Sequence, residues 1–346
     1  MSTSNLESSP EGMALVRLPE LSNVEFLKVN QQGKDEFAIH AFQNNIKPEI
    51  KLRGSFVEVS PQHFEALEKI RKSLSEHNDE SANIDHSGWK RIGEKALNLL
   101  KNKNLEKIVL SRRIDLLDGG RISLESSFQQ LCKALPHALV YLLYHPEAGM
   151  WMGATPELLL KWNNGFIETV SLAGTRRGEG KPNKNWGAKE LEEQKLVTDE
   201  IAQVFRKNCI PFTLSDPYTF SAGTIEHIKQ DFKSQTEVRQ SDYKKLLKDL
   251  HPTPAVCGRP YEQAVKHILE LEPHDRKYYT GYLSIHKDDH LQSFVNLRCA
   301  EVHKKSFSFF VGGGWTADSN IEKEWQETKD KYNSTARIFE SLLNGG

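Results

Sequence analysis

The sequence predicts an α+β fold built around a large antiparallel sheet, and three observations carry that prediction. Strand-like segments follow one another with only turns between them over 138–174, and again over 290–314. Amphipathic helical segments are interspersed among them but do not alternate with single strands, as a parallel βαβ sheet requires. No self-similar period of ~20–50 residues is visible, which argues against a solenoid.

The elements follow in order. A Ser-, Glu- and Pro-rich start reads as a flexible tail over 1–12. Short apolar runs then alternate with polar ones from about Ala14 to Ser60, with Phe56-Val57-Glu58-Val59 as a strand. Residues 61–77 read as a helix: Pro61 suits the first turn, and Phe64, Leu67, Ile70 and Leu74 recur every three or four positions. A polar linker near 78–86 leads to a second helix over about 87–102. KIVLSRRIDLL (107–117) is a strand by its Ile, Val and Leu content. Residues 138–145, 149–154 and 157–162 are strands separated by turns, and 166–174 is a strand running into a glycine loop. Helices cover 187–207 and about 259–271. HLQSFVNLRCAEVH (290–303) and SFSFFVGGG (306–314) read as one hairpin, and 321–344 as the closing helix.

Composition bounds the function. The 346 residues are 38% hydrophobic and 27% charged, enough to bury a sizeable core. No run approaches the ~18–20 apolar residues of a membrane span, and MSTSNLESSPEG lacks a basic-then-apolar leader. A net charge of −1 gives no electrostatic case for nucleic acid. The four cysteines (Cys132, Cys209, Cys257, Cys299) are scattered, with no CxxC, so a disulfide framework is not expected and a cytoplasmic location is.

Two helices carry acidic pairs at helical spacing. On the last one Glu324, Glu327, Lys331, Thr335 and Ile338 share a face, while Trp325, Tyr332, Phe339 and Leu343 form a second stripe. On 187–207, Glu190 and Glu193 lie in line with Val197, Ile201 and Val204, so the acids sit on the apolar stripe itself. A carboxylate there is costly unless paired or bound to metal. Two Glu-x-x-Glu helices could present four carboxylates to a magnesium ion, which prefers oxygen ligands. The alternative is a solvated acidic face with one Glu327–Lys331 pair.

SLAGTRRGEGK (171–181) and FFVGGGWTADS (309–319) are glycine-rich segments that follow apolar strands. They either let backbone N–H groups approach an anion or are simply tight turns; neither matches GxxxxGK[ST] or GxGxxG. Lys107 opens a strand, Glu157 follows Thr155-Pro156, and His251 precedes Pro-Thr-Pro. Arg298 sits amid apolar residues of a predicted strand, where a buried arginine calls for an anion. No GxSxG elbow is present.

Eight segments then line up in one order: KIVLSRR (107–113), GATPELLL (153–160), SLAGTRRG (171–178), ELEEQKLVTDEI (190–201), HPTPAVCG (251–258), LRCAEV (297–302), VGGGWTADS (311–319) and EKEWQETKDK (322–331). Together they resemble the chorismate-utilising enzymes, which include isochorismate, salicylate, anthranilate and aminodeoxychorismate synthases. The resemblance implies two large antiparallel sheets packed face to face and flanked by helices. It implies a single catalytic domain over 13–346, its motifs within about 100–345. It also implies roles. Lys107 is the general base and Glu157 the general acid. Mg2+ is held by Glu193 and Glu327, with Glu190 and Glu324 in support. Gly174, Thr175, Arg298, Gly312 and Lys331 contact substrate, and Tyr279 and His251 are pocket neighbours.

A lysine at 107 is what the water-using members carry. The expected activity is therefore magnesium-dependent conversion of chorismate to isochorismate, with water added at ring carbon 2 and the carbon 4 hydroxyl lost, feeding menaquinone or siderophore synthesis. Salicylate synthase, which also eliminates pyruvate, and a non-catalytic chorismate-binding homologue stand as alternatives. As acid, Glu157 needs an apolar or anionic setting that keeps it protonated. The expected partner is a small-molecule substrate, with no nucleic acid, no membrane and no glutamine amidotransferase subunit, and the chain is expected to be a monomer. Gln194 and Trp315 depart from the family pattern and are expected to reshape the pocket rim.

Overall fold

The structure is a computed structural model that describes residues 11–43, 49–76, 83–178, 185–222, 225–288 and 290–343. In chain order it contains β1 (Met13–Arg17), β2 (Glu25–Val29), β3 (Asp35–His40), β4 (Ile50–Glu58), α1 (Pro61–Ser73), α2 (His86–Lys101), β5 (Lys107–Leu117), α3 (Leu124–Ala134), β6 (Leu139–His145), β7 (Gly149–Thr155), β8 (Leu158–Asn163) and β9 (Phe166–Arg177). There follow α4 (Ala188–Lys207), β10 (Phe212–Leu214), β11 (Tyr218–Ala222), β12 (Ile225–Ser234), α5 (Gln240–Leu250), β13 (Gly258–Arg259), α6 (Tyr261–Leu271), β14 (Tyr282–Lys287), β15 (His290–Val295), β16 (Cys299–Val302), β17 (Ser306–Trp315) and α7 (Ile321–Leu343). No helix among the described residues is long and apolar enough to cross a membrane.

The expected two layers are present, with one refinement. They are halves of a single hydrogen-bonded strip. Its antiparallel pairings run β13–β5–β17–β16–β7–β6–β1, turn through β2–β4–β3, and continue β14–β15–β8–β9–β12, with β10 and β11 at the far edge. The strip folds over on itself because alternate residues are apolar on both faces. On β6, Leu139, Tyr141 and Leu143 join the core between the layers, with Phe37, Trp151, Leu283 and Phe310. Val140 and Leu142 point the other way, under α1, α3 and α7. The outer face of the second layer carries α4 and α5 over Leu160, Ile167 and Phe232. A fourth cluster seats α2 and α6 against Ile108 and Leu110 of β5.

The structure departs from the sequence reading at several places. Residues 290–303 are not one strand: β15 pairs with β14 and β8, whereas β16 pairs with β7 and β17. The break at Asn296–Arg298 carries the chain from one layer to the other, so Arg298 lies on a crossover rather than in a strand. Helices α3 and α5 were not anticipated; each is only 11 residues long. Residues 1–10 of the expected tail lie outside the described residues, and Gly12 is already buried against Leu52. Trp315 turns away from the expected pocket rim, fully buried in the helix-covered core against Trp89 at 5.7 Å. Gly93 of α2 makes room for that ring: a Cβ there would lie 2.5 Å from Trp315 Cη2. Gly93→Ala should therefore lower stability by about 1–3 kcal/mol despite alanine's better helix propensity, a sign that urea unfolding can check.

Candidate active site

Two neighbouring crossovers build one wall of a cleft. Pro156 and Glu157 link β7 to β8, and Asn296–Arg298 link β15 to β16, so both pass between layers. They are tied to each other: Val295 N donates to the Glu157 carbonyl at 2.9 Å, and Ala154 N donates to the Arg298 carbonyl at 2.8 Å. Glu157 and Arg298 both line a cleft of ≈ 940 Å³, measured to include its open mouth. Opposite them run Val311–Gly314 of β17, with Lys331 and Thr335 of α7 and Gly174 and Thr175 of β9.

The glycines set the spacing. Gly174 has φ +68° and falls where the β9–β12 register shifts by one residue, the geometry of a β-bulge. On β17 the reason is close approach. A Cβ on Gly314 would lie 2.4 Å from Glu193 Oε1 and 2.9 Å from Lys107 Cε; one on Gly313 would lie 3.2 Å from Glu324 Oε2 and 3.5 Å from Glu327 Oε1. Glycine in a strand interior weakens the strand, and here it lets α4 and α7 bring their carboxylates down onto the sheet. Glu193 and Glu327 thus meet β17 one residue apart.

Each carboxylate has a lysine. Lys107, fully buried, donates to Glu193 Oε1 at 2.9 Å. Lys331 lies 2.9 Å from Glu327 Oε1 and donates to the Gly312 carbonyl at 2.8 Å. Lys189 donates to Glu324 Oε1 at 2.6 Å, and Ser319 Oγ donates to the same oxygen at 2.8 Å. Burial would raise the Glu193 carboxyl, but Lys107, Lys189 and Lys331 outweigh it and hold the group below its ordinary value. For Glu324, burial and then the charge of Glu327 win, and the carboxyl is pushed up to about 7. Burial likewise pushes Glu157 up to about 7, against the pull of Lys107 and Lys331.

Behind the cleft lies a buried ion pair. Arg276 donates twice to Glu272, at 2.8 and 2.6 Å, and also to the carbonyls of Val256 (2.8 Å) and Val109 (2.7 Å). Glu272 also accepts from Ser111 N at 2.6 Å. Val109 and Val256 line the cleft, so one guanidinium fixes two separate stretches of its wall. A second network sets the Arg298 crossover: Tyr141 Oη donates to Asn296 Oδ1 at 2.8 Å, and Asn296 Nδ2 donates to the Tyr278 carbonyl at 3.0 Å.

Of the residues singled out in the sequence, Glu157, Gly174, Thr175, Glu193, Tyr279, Arg298, Gly312 and Lys331 line the cleft, and Lys107 stands against Glu193 at its wall. Glu190, Glu324 and Glu327 line an adjoining recess between α4 and α7. His251 is the exception. It sits behind the wall, where its Nε2 meets the Thr280 carbonyl at 2.9 Å and its ring packs on Tyr282. It therefore supports the wall from outside the cleft. Sequence reasoning missed His227 on β12, which lines the cleft. Burial, then the charges of Arg298 and Lys331, push its imidazole down to about 3. Its Nδ1 lies 3.0 Å from the Gly174 carbonyl, so Nδ1 carries the proton and Nε2 is an acceptor. Nothing in IEHIK distinguishes that histidine until the Gly174 bulge is known.

Residues 22–340 match the family model described as chorismate binding enzyme. The vibriobactin-specific isochorismate synthase of Vibrio cholerae is 30% identical over 68% of this chain, an alignment that spans 62% of that protein's length. Isochorismate synthase DhbC of Bacillus subtilis is 29% identical over 72% of this chain and 67% of its own length. The crystal structure of DhbC from Bacillus anthracis superposes with a TM-score of 0.77 at 21% identity, covering 96% of this chain and 97% of that one, and so shares the fold. A family match over nearly the whole chain settles the kinship: the chain belongs to the chorismate binding enzymes.

Proposed function

We propose that the chain is an isochorismate synthase acting on chorismate. The reading is carried by one observation: a buried lysine and a buried, neutral-leaning carboxyl, Lys107 and Glu157, serve the same cleft. The reaction needs one group to take a proton from the attacking water and another to give one to the departing hydroxyl. Lys107 takes the first role in its neutral amine form, which requires it first to give up the ammonium proton it shares with Glu193. Glu157 takes the second, since a carboxyl raised to about 7 still holds its proton near neutrality. Arg298 and Lys331 meet the carboxylates of the substrate by charge-assisted hydrogen bonds. Gly174, Thr175, Gly312 and Tyr279 shape the walls around the ring.

The residues between α4 and α7 fit a hard divalent cation. Glu190, Glu193, Glu324 and Glu327 offer carboxylate oxygens, Gly313 and Gly314 leave the space a Cβ would fill, and Glu324 Oε2 is buried without a hydrogen-bond partner. Among the described residues no three acidic, His or Cys side chains converge as ligands, and Glu193, Glu324 and Glu327 each pair with a lysine. Glu193 and Glu327 would hold Mg2+, with Glu190 and Glu324 in support. A bound Mg2+ would neutralise one carboxylate of the substrate.

The test is product chromatography after incubating the purified protein with chorismate and Mg2+. Isochorismate should dominate. Stoichiometric pyruvate with salicylate would move the assignment to salicylate synthase, and binding without turnover would make the chain a non-catalytic homologue. The pH profile gives a second check. The acid must be protonated, and the raised value carries that form toward neutral pH, so kcat/KM should fall as pH rises through about 7. Glu157→Gln, which keeps the shape but has no proton to give, should lose ~100-fold or more.

A further inference from the structure

Three ammonium groups and three carboxylates face one another where α4 and α7 close on β17. Lys107 and Lys331 line or abut the cleft and have roles in the chemistry proposed above. Lys189 does not. It stands in the adjoining recess, in the first turn of α4, with 26% of its side chain exposed. From there its Nζ reaches Glu324, which is 1% exposed. The other oxygen of that carboxylate, Oε2, is buried, has no hydrogen-bond partner and is aimed at Gly313, beside Glu327. Glu327 and Glu193 also act on the Lys189 charge, which places that ammonium within the field of all three carboxylates.

We propose that Lys189 is a tethered competitor for the divalent cation: its ammonium occupies the carboxylates while no metal is bound and withdraws from Glu324 when one enters. The inference rests on the metal reading above and adds what sets the affinity. An ammonium and a dication a few ångströms apart repel, and at an effective dielectric of ~20 that costs well over a factor of ten in binding. The lysine has somewhere to go. Its four-carbon stem is flexible and already part-exposed, whereas Lys107 is fully enclosed. The device keeps a buried acidic group compensated in the empty protein, where stranded charges would be costly.

The experiment is isothermal titration of MgCl2 into the full chain, comparing wild type, K189M and K189R, with thermal melts at zero and saturating Mg2+. K189M should bind Mg2+ about tenfold or more tightly. It should melt below wild type without metal and regain most of the difference with it. K189R, which keeps the charge, should bind close to wild type. If K189M does not fold, K189Q serves, since it removes the charge but keeps a polar side chain beside Glu324. Equal or weaker Mg2+ binding by the neutral variant overturns the proposal and makes Lys189 a plain α4–α7 tie or a support for the ligands. Should wild type itself take up no Mg2+, the metal reading falls and this inference with it.

Discussion

Lys107→Ala is expected to slow chorismate conversion at least ~100-fold, the usual scale for a general base, when isochorismate is followed by chromatography. No neighbour can take over. Ser111 Oγ is engaged with Glu272 at 3.0 Å, and Arg112 donates to Thr328 at 2.9 Å while stacked on Trp325. The variant should still fold, because Glu193 keeps Lys189 and Lys331 nearby and is not left as a lone buried charge. Lys107→Met, which refills the volume, should be as inactive as the alanine variant. That pairing separates lost chemistry from lost packing. Full activity in either would end the assignment of the base.

The largest stability effect should come from Glu272→Ala. It leaves the Arg276 guanidinium buried without its anion, and breaking one side of such a pair costs about 3–5 kcal/mol. It also frees the Ser111 backbone and loosens the wall at Val109 and Val256, so activity should fall together with the urea midpoint. The double variant Glu272→Ala/Arg276→Met should recover part of the stability, since the stranded charge is gone. A single variant that unfolds at the wild-type midpoint would show that the pair does not hold the wall.

Much of this was legible in the sequence because it is local. The 3.6-residue period marks α1, α2, α4, α6 and α7, and short apolar runs between turns mark β5 through β9, with ends within about four residues of those observed. The residues on matched motifs were found for the same reason, and most of them reach the cleft. What was hidden depends on distant partners. Residues 290–303 look like one strand because Asn296 interrupts a run of otherwise suitable residues only through its bonds to Tyr141 and Tyr278, which no local pattern reveals. Trp315 looked like a rim residue until Gly93, far away in the chain, provided its cavity. His251 and His227 could not be ranked without the layers: one stands behind the wall and the other on it. Helices α3 and α5 carry a legible period, Leu124, Phe128 and Leu131 in one and Tyr243, Leu246, Leu247 and Leu250 in the other, and were overlooked rather than hidden.

The single strip of strands has a consequence for how the chain is made. β3 pairs with β14 and β5 with β17, so strands from about the first third of the chain wait for partners from its last quarter. Pairings so distant in sequence close slowly. During synthesis, β3 and β5 would leave the ribosome well before β14 and β17 exist, offering open strand edges to other nascent chains. The yield of native protein should then depend on chaperone supply and growth temperature more steeply than its final stability suggests, and a refolding experiment should slow and lose product as protein concentration rises.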